Sequence, residues 1–256
     1  MLRLKTHSST SSNHMHLTPL AVNIIVVKKM QESQAIKNGR TYLENKRRIM
    51  LGISPGNPFF YEKGNLVKML QIAKDNSNDK IMMFIADKIS EHNYRAVGSK
   101  NPEKSARVKA NRLRHKCEEA IRSCQMQDDS VEYINWVRDV ESSSHYVDAL
   151  KYVKHLYEVN DQFQKDVKEC TQPALVSMKH GRERSMPEGS DAAIDLDEGV
   201  KYPLKELAFF SVIRDIYEGC EEFVFVYHRP WSVLEKYFDG GYDNVSRPSL
   251  GFYVFE

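Results

Sequence analysis

Short apolar runs alternate with longer segments of helical periodicity along this chain. Runs of strand length occupy residues 22–27, 49–53, 81–86 and 223–227. Apolar residues at helical spacing recur in residues 66–72, 137–156 and 202–216. Because strands that alternate with helices favour crossover connections, this pattern predicts an α/β fold with a mostly parallel sheet covered by helices on both faces.

Two segments depart from this pattern. Residues 1–19 are rich in Ser, Thr and His and contain no acid, which predicts a disordered leader before a single domain over residues 20–256. Residues 179–199 combine glycines, a proline and many charges, which predicts a mobile loop.

Composition and charge narrow the function classes. Hydrophobic residues make up 41% of the chain, enough for a sizeable core, and the net charge is only +2. Any attraction to a polyanion must therefore come from local clusters of charge. The four cysteines form no C-x-x-C pair, and no apolar run approaches the ~20 residues that span a bilayer. We therefore expect a cytoplasmic protein with reduced cysteines, no metal site and no membrane association.

The most distinctive turn follows the run at residues 49–53. Gly52-Ile53-Ser54-Pro55-Gly56 fits the G-x-S-x-G pattern, which presents a serine nucleophile between a strand and a helix. A structural Ser-Pro-Gly turn explains the same residues. A serine hydrolase would also need partners such as His228 and Asp195. The α/β-hydrolase fold places several strands before its serine, whereas at most one candidate strand precedes Ser54.

The second half contributes two polar pairs. Tyr202 and Glu206 are four residues apart, so a helix would place them on one face beside apolar neighbours, where a carboxylate suits a protonated amine. Tyr227 and His228 follow a buried run directly, and Pro230 ends that run because proline cannot donate to a sheet ladder. A surface pair and an ordinary strand terminus remain the structural alternatives.

Together these residues resemble the cyclodipeptide synthase family. The resemblance rests on Gly52-Ile53-Ser54-Pro55-Gly56-Asn57, on Tyr202 with Glu206, and on Tyr227-His228, in the family's order and spacing. It covers roughly residues 45–240, and Asn57, Tyr227 and His228 match the subgroup with an Asn-Tyr-His signature. The resemblance implies a Rossmann-like domain similar to the catalytic domain of class I aminoacyl-tRNA synthetases, without their ATP-binding segments.

This resemblance also implies an activity and a set of roles. Such enzymes join two aminoacyl groups, each delivered by a tRNA, into a 2,5-diketopiperazine without ATP or another cofactor. Ser54 would carry the first aminoacyl group, Glu206 and Tyr202 would hold its amine, and Tyr227 would relay a proton during cyclisation. Gly52 would leave room for substrate, and Asn57 and His228 would steady the site.

A substrate pocket follows from the same resemblance. The residues expected around the first side chain are apolar, which predicts a hydrophobic first amino acid; they are Met50, Met83, Ile85, Phe209, Phe210 and Phe225. Tyr146 is expected on the side of the second substrate. Ordinary core packing is the alternative for each of these residues.

A basic segment supplies the expected RNA contact. Residues 100–116 carry seven cations against one acid, and Pro102 suits a helix start. We expect this helix to contact tRNA phosphates through Lys104, Arg107, Lys109, Arg112, Arg114 and Lys116. A solvated basic face is the alternative. The leading hypothesis is thus a monomeric enzyme that binds two aminoacyl-tRNAs and does not bind DNA. The competing hypotheses are a hydrolase of small esters and a non-catalytic tRNA-binding protein.

Overall fold

A sheet of five parallel strands forms the centre of the structure. The computed structural model describes residues 32–62, 64–183, 193–217, 222–245 and 250–255. The strands are β1 Arg48–Ile53, β2 Ile81–Ile85, β3 Val131–Tyr133, β4 Phe223–Tyr227 and β5 Leu250–Val254. They lie in the order β3-β2-β1-β4-β5, and every neighbouring pair is parallel. The prediction of a Rossmann-like, mostly parallel sheet is confirmed.

Helices connect and cover the strands. In the described residues the α-helices are α1 Gln34–Glu44, α2 Asn65–Asp75, α3 Glu91–Ala96, α4 Pro102–Ser123, α5 Ser144–Val159, α6 Asp161–Glu183, α7 Leu196–Gly199, α8 Lys201–Ser211, α9 Ile213–Ile216 and α10 Ser232–Phe238. Short 3₁₀ turns lie at Pro58–Tyr61 and Asp128–Ser130, and a π-helical turn at Trp136–Glu141. None of the helices described is long and apolar enough to span a bilayer.

Burial explains the strand pattern. Every residue of β2 and β4 is buried, as is all of β1 after Arg48, so these strands read as continuous apolar runs. The predicted strands at 49–53, 81–86 and 223–227 are confirmed, whereas β3 and β5 were not predicted. The run at 22–27 and the expected leader at 1–19 lie outside the described residues.

The helix predictions were mostly right. The pattern at 66–72 lies within α2, and the pattern at 202–216 divides into α8 and α9. The predicted loop at 179–199 is wrong at both ends, because α6 continues to Glu183 and residues 196–199 form α7. Lys179 is partly exposed and His180 is exposed on this helix, and charged side chains are tolerated at such positions. Residues 184–192 lie outside the described part of the chain.

The strand order fixes where a ligand meets the sheet. From β1 the chain builds outward through β2 to β3, and it later returns to the other side of β1 with β4 and then β5. The order therefore reverses between β1 and β4. In open α/β sheets ligands bind outside the carboxyl ends of the strands at this reversal.

Candidate active site

Ser54, Tyr227 and His228 all lie at the reversal point of the sheet. Ser54 directly follows the last residue of β1, Tyr227 is the last residue of β4, and His228 comes next. The parallel pairing of β1 with β4 brings the two carboxyl ends together. Residues that are 173 positions apart in sequence thus share a site, with 2.8 Å between the Ser54 Oγ and the Tyr227 hydroxyl oxygen.

The turn after β1 is closed by a backbone hydrogen bond and a glycine. The Asn57 backbone N–H donates to the Ser54 carbonyl at 3.2 Å, and Gly56 takes the left-handed conformation at φ 89° that closes the turn. A 3₁₀ turn at Pro58–Tyr61 follows, and α2 begins only at Asn65. The predicted order of strand, serine turn and helix is therefore confirmed, with the helix beginning at Asn65 where the apolar periodicity placed it.

Tyr202 and Glu206 complete a chain of contacts around Ser54. They face the same side of α8, and the Tyr202 hydroxyl donates to Glu206 Oε1 at 2.7 Å. The Ser54 side chain lies beside Tyr202, where it opposes the rise in the Tyr202 pKa that burial causes. The order of contacts is Tyr227, Ser54, Tyr202, Glu206, so the four residues expected to be catalytic are brought together.

Burial dominates the electrostatics of this chain of side chains. Glu206 is only 7% exposed, and burial raises the pKa of its carboxyl to about 8, although the hydrogen bond from Tyr202 and the charge of Arg229 oppose this. Burial also raises the pKa of Tyr202 and of Tyr227. At neutral pH the carboxyl and both phenols are therefore uncharged.

Asn57 and His228 form a second, fixed unit beside the serine. The Asn57 side-chain oxygen accepts from the Phe59 N–H at 3.1 Å, so its amide nitrogen donates to His228 Nε2 at 3.0 Å. The imidazole proton must then lie on Nδ1, which has no partner in the described residues. Burial, with the nearby charge of Arg229, lowers the pKa of His228 to about 4. The ring also stacks on Phe59 at 4.6 Å, so the imidazole is neutral and immobile.

Gly52 leaves space that aromatic side chains use. A Cβ at Gly52 would lie 2.5 Å from the Phe225 ring and 3.1 Å from the Tyr227 ring. Phe225 in turn contacts Phe210 at 4.5 Å between ring centroids. Met50 pairs with Phe225 in the sheet, and Phe209 contacts Phe210. The structure therefore brings these four predicted pocket residues to the face of the sheet that carries Ser54.

Met83 and Ile85, however, lie on the opposite face, so the prediction for these two residues is wrong. Met83 pairs with Leu51 and Ile85 with Ile53, whereas Met82 and Phe84 pair with Met50 and Gly52. Side chains alternate between the two faces along a strand, so a register error of one residue moves a side chain to the other face.

Phe84 confirms this assignment because its ring contacts Phe209 at 5.3 Å. Tyr146 lies at the far edge of the same aromatic cluster. Its ring meets Trp136 edge-on at 5.4 Å, and its buried hydroxyl has no partner among the described residues.

The predicted basic helix is confirmed as α4, and its cations divide into two flanks of a buried seam. Lys109, Arg112 and Lys116 line a cleft that the serine turn also lines, and we call them the turn-side flank. Arg107 and Arg114, the far flank, line a separate cleft beside β3. Lys104 is exposed between the two flanks.

The geometry does not support a Ser-His-Asp triad. Within the described residues no hydrogen bond joins Ser54 to His228, and the Asp195 side chain caps α7 through the Glu198 N–H at 2.9 Å.

Sequence reasoning missed Arg229, the cation whose charge acts on Glu206, Tyr227 and His228. Its position directly after His228 was the available signal.

Comparisons with known proteins agree with this fold. Residues 33–256 match the family model described as cyclodipeptide synthase. The cyclo(L-leucyl-L-leucyl) synthase of Bacillus subtilis is 25% identical over 228 residues, which cover 86% of each protein. A cyclodipeptide synthase structure from Bacillus thermoamylovorans matches with a TM-score of 0.68 and 24% identity, over 86% of this chain and 93% of that one.

Two further structures are informative. A Mycobacterium tuberculosis protein described as relating cyclodipeptide synthetases to type I tRNA synthetases matches with a TM-score of 0.59 and 13% identity, over 80% and 86% of the two chains. A cyclodipeptide synthase from Candidatus Glomeribacter gigasporarum, bound to Phe-tRNAPhe, matches with a TM-score of 0.53 and 18% identity, over 82% and 88%. The expected relation of the fold to class I synthetases is thus confirmed.

Proposed function

This chain belongs to the cyclodipeptide synthase family, and we propose that it makes a cyclic dipeptide from two aminoacyl-tRNAs through an acyl-enzyme on Ser54. The observation that carries the proposal is the continuous chain of contacts from Tyr227 through Ser54 and Tyr202 to Glu206. These contacts bring the Ser54 hydroxyl, two phenols and a carboxyl together, and this set supports the proposed roles of nucleophile, proton relay and receptor for an amine.

The first step is transfer of an aminoacyl group to Ser54. The serine oxygen attacks the ester carbonyl, the bond to the terminal ribose oxygen breaks, and the serine proton passes to that oxygen. Because the described residues place no charged base against Ser54, we assign this proton transfer to the neighbouring ribose hydroxyl. The aminoacyl ester is already activated, so the step uses no ATP.

Glu206 suits the amine of the bound aminoacyl group. Its carboxyl is buried and protonated at neutral pH, with Tyr202 fixing one oxygen at 2.7 Å. An entering ammonium would replace the carboxyl proton, and one proton would leave for solvent. The shared proton can later return to Glu206, which frees the amine to attack, since an ammonium is not a nucleophile.

Peptide bond formation and cyclisation follow on the same serine. The freed amine attacks the second aminoacyl ester and releases its tRNA, leaving a dipeptidyl group on Ser54. The new terminal amine then attacks the serine ester, closes a six-membered ring and releases the serine oxygen. The Tyr227 hydroxyl, 2.8 Å from that oxygen, gives its proton to the serine oxygen and receives the proton that the attacking amine loses. Ring closure is intramolecular and therefore gains from proximity.

We expect a hydrophobic first amino acid, because the side chains packed on the Gly52 face of the sheet are apolar and buried; they are Met50, Met82, Phe84, Phe209, Phe210 and Phe225. Tyr146 stays the candidate contact for the second amino acid.

The turn-side flank of α4 is the candidate contact for the tRNA body. It lies next to the serine turn, and a structural relative binds Phe-tRNAPhe. Phosphate neutralisation by these cations would make activity fall steeply with salt.

The test is expression in a bacterium followed by mass spectrometry of the culture medium. The proposal predicts a cyclic dipeptide with the wild type and none with Ser54→Ala. A medium with no cyclic dipeptide, from cells that accumulate folded protein, would contradict it. A hydrolase of small esters would instead cleave such esters in vitro, and a non-catalytic module would bind tRNA without making product.

A further inference from the structure

A cleft of about 400 Å³ opens at the carboxyl ends of β2 and β3, on the side of α4 away from the serine turn. One wall is the far flank of α4, and the other is the chain that leads from β3 into the π-helical turn. Asp87, two residues after the end of β2, also lines it. None of its lining residues lines the cleft beside the serine turn. We call it the β3–α4 cleft.

The lining of this cleft carries charges of both signs. The ionisable residues are Asp87, Lys88, Glu91, Glu103, Arg107, Arg114 and Arg138. Lys88 is paired with Glu91 at 3.1 Å, and Arg138 is paired with Asp139, which does not line the cleft. Among the described residues no ion pair involves the remaining acids and cations, which are Asp87, Glu103, Arg107 and Arg114. Two carboxylates and two guanidinium groups are therefore available to a ligand.

Arg114 and Asp87 are the better ordered of these groups. The Arg114 guanidinium lies over the Tyr133 ring at 4.7 Å, which fixes its plane and leaves the N–H donors at its edge free for a carboxylate. Asp87 Oδ1 accepts from the Lys88 N–H at 2.6 Å, and the described residues give its second oxygen no partner. Both side chains are half-buried, whereas Glu103 and Arg107 are exposed at the rim. A charged ligand would therefore be screened least at Arg114 and Asp87.

The rest of the lining is largely apolar. Ala106 and Ala110 contribute only methyl groups from α4, and Ile134 and Val137 lie on the opposite wall. The Val137 side chain is 56% exposed, which is a large fraction for an aliphatic residue. A ligand with an aliphatic side chain would cover it and gain from burial of apolar surface.

We infer that the β3–α4 cleft binds a small zwitterion, a free amino acid or a linear dipeptide with an aliphatic side chain, with its carboxylate on Arg114 and its ammonium on Asp87. A guanidinium fork matches a carboxylate with two parallel hydrogen bonds. A polyanion would be repelled by the unpaired acids, and a polyamine by the unpaired arginines. The inference goes beyond the proposed function, because no step of that reaction uses this cleft.

The test is isothermal titration calorimetry of the full chain with L-leucine and with L-leucyl-L-leucine, without tRNA. At least one of the two should bind, and the tighter one identifies the source of the zwitterion. N-acetyl-L-leucine lacks the ammonium and L-leucinamide lacks the carboxylate. Each should bind about 10- to 100-fold more weakly than leucine, the range for loss of a hydrogen bond to a charged group. This comparison uses the wild type alone, so it does not depend on any variant folding.

Two variants locate the site. Arg114→Gln and Asp87→Asn should each weaken leucine binding by the same 10- to 100-fold, about the loss of one charged partner. In Arg114→Gln, leucine and leucinamide should bind equally, because the partner of the carboxylate is gone. Arg112→Gln removes the same charge from the turn-side flank of α4 and should leave leucine binding unchanged.

Glu206→Gln separates this cleft from the site around Ser54, where leucine has a second possible receptor for its amine. Leucine binding that is unchanged in Glu206→Gln supports the cleft. Binding that is lost in Glu206→Gln but kept in Arg114→Gln and Asp87→Asn assigns the ligand to the catalytic site and overturns the inference.

Two results with the wild type would also overturn it. One is equal binding of leucine and both blocked analogues, and the other is no binding of either zwitterion at millimolar concentrations. None of these measurements involves tRNA or acyl-Ser54. The inference and the proposed function can therefore fail separately.

Discussion

Replacing Glu206 with Gln should make this protein more stable at neutral pH. The carboxyl is 7% exposed and burial raises its pKa to about 8, against an ordinary value of 4.5. The folded chain therefore keeps a proton that the unfolded chain loses, so the stability present below pH 4.5 declines as pH rises towards 8. At ~1.36 kcal/mol per pH unit, the loss is about 3 kcal/mol at pH 7 and about 0.7 kcal/mol at pH 5.

Glu198 provides the matched control because its pKa moves the other way. Burial opposes ionisation of this residue, but hydrogen bonds from Lys201, His92 and Arg95 outweigh it and lower the pKa to about 2. Its contribution is present above pH 4.5 and is lost as pH falls through 2. Glu198→Gln should therefore destabilise the protein at pH 7 by about 3 kcal/mol.

The assay is urea denaturation of the wild type and both variants at pH 5 and pH 7. The diagnostic quantity is the change in each stability difference between the two pH values, because any constant effect of the amide on packing cancels. For Glu206→Gln the gain should grow by about 2–3 kcal/mol between pH 5 and pH 7. A gain that stays constant, or a loss that grows, would show that the Glu206 carboxyl is not held protonated, and the proposed handling of the amine would fail with it.

Three further substitutions test other parts of the site. Gly52→Ala should reduce the free energy of unfolding by about 1–3 kcal/mol in urea denaturation, because the new methyl overlaps the Phe225 ring; unchanged stability would mean that the ring is free to move. Asn57→Ala leaves His228 Nε2 without its donor and should reduce the free energy of unfolding by about 1–3 kcal/mol. Nitrogen NMR should then show that the imidazole is no longer fixed as the Nδ1–H tautomer, and a retained Nδ1–H tautomer would contradict the fixed unit. Tyr227→Phe should accumulate a dipeptidyl mass on the protein in intact mass spectrometry, whereas normal release of product would exclude Tyr227 as the proton donor.

Most of the central sheet could be predicted from sequence, and the missed parts have physical reasons. The runs that became β1, β2 and β4 are buried on both faces and are therefore uninterrupted. β3 has only three residues, all partly exposed, and β5 contains Gly251, which is disfavoured inside a strand. Neither strand has a pattern that stands out before its neighbours in the sheet are known.

The wrong assignment of Met83 and Ile85 and the correct prediction of β2 have the same cause, an uninterrupted apolar run. A run such as Ile-Met-Met-Phe-Ile has no polar residue to mark which face meets the site, so the register must come from pairing with β1. The flanks of α4 illustrate a related limit. Helical spacing places Lys109, Arg112 and Lys116 together, but only tertiary packing tells which flank lies beside the serine turn.

The proposed network around Ser54 depended on residues far apart in sequence. Tyr202 and Glu206 were recognisable as neighbours on one helix face, because four residues make about one turn. Their contact with Ser54 and Tyr227 depends on how α8 packs over the sheet, which no local pattern encodes. Arg229 was missed for that reason, since its charge matters only once Glu206 is known to be buried nearby.

The central claim is that Ser54 carries the first amino acid as an ester. Intact mass spectrometry of the protein mixed with charged bacterial tRNA measures this directly, followed by peptide mapping of the modified residue. The account predicts a mass increase of one aminoacyl group on Ser54 in the wild type and none in Ser54→Ala. Cyclic dipeptide formation by Ser54→Ala, or an aminoacyl group attached elsewhere with Ser54 unmodified, would contradict it.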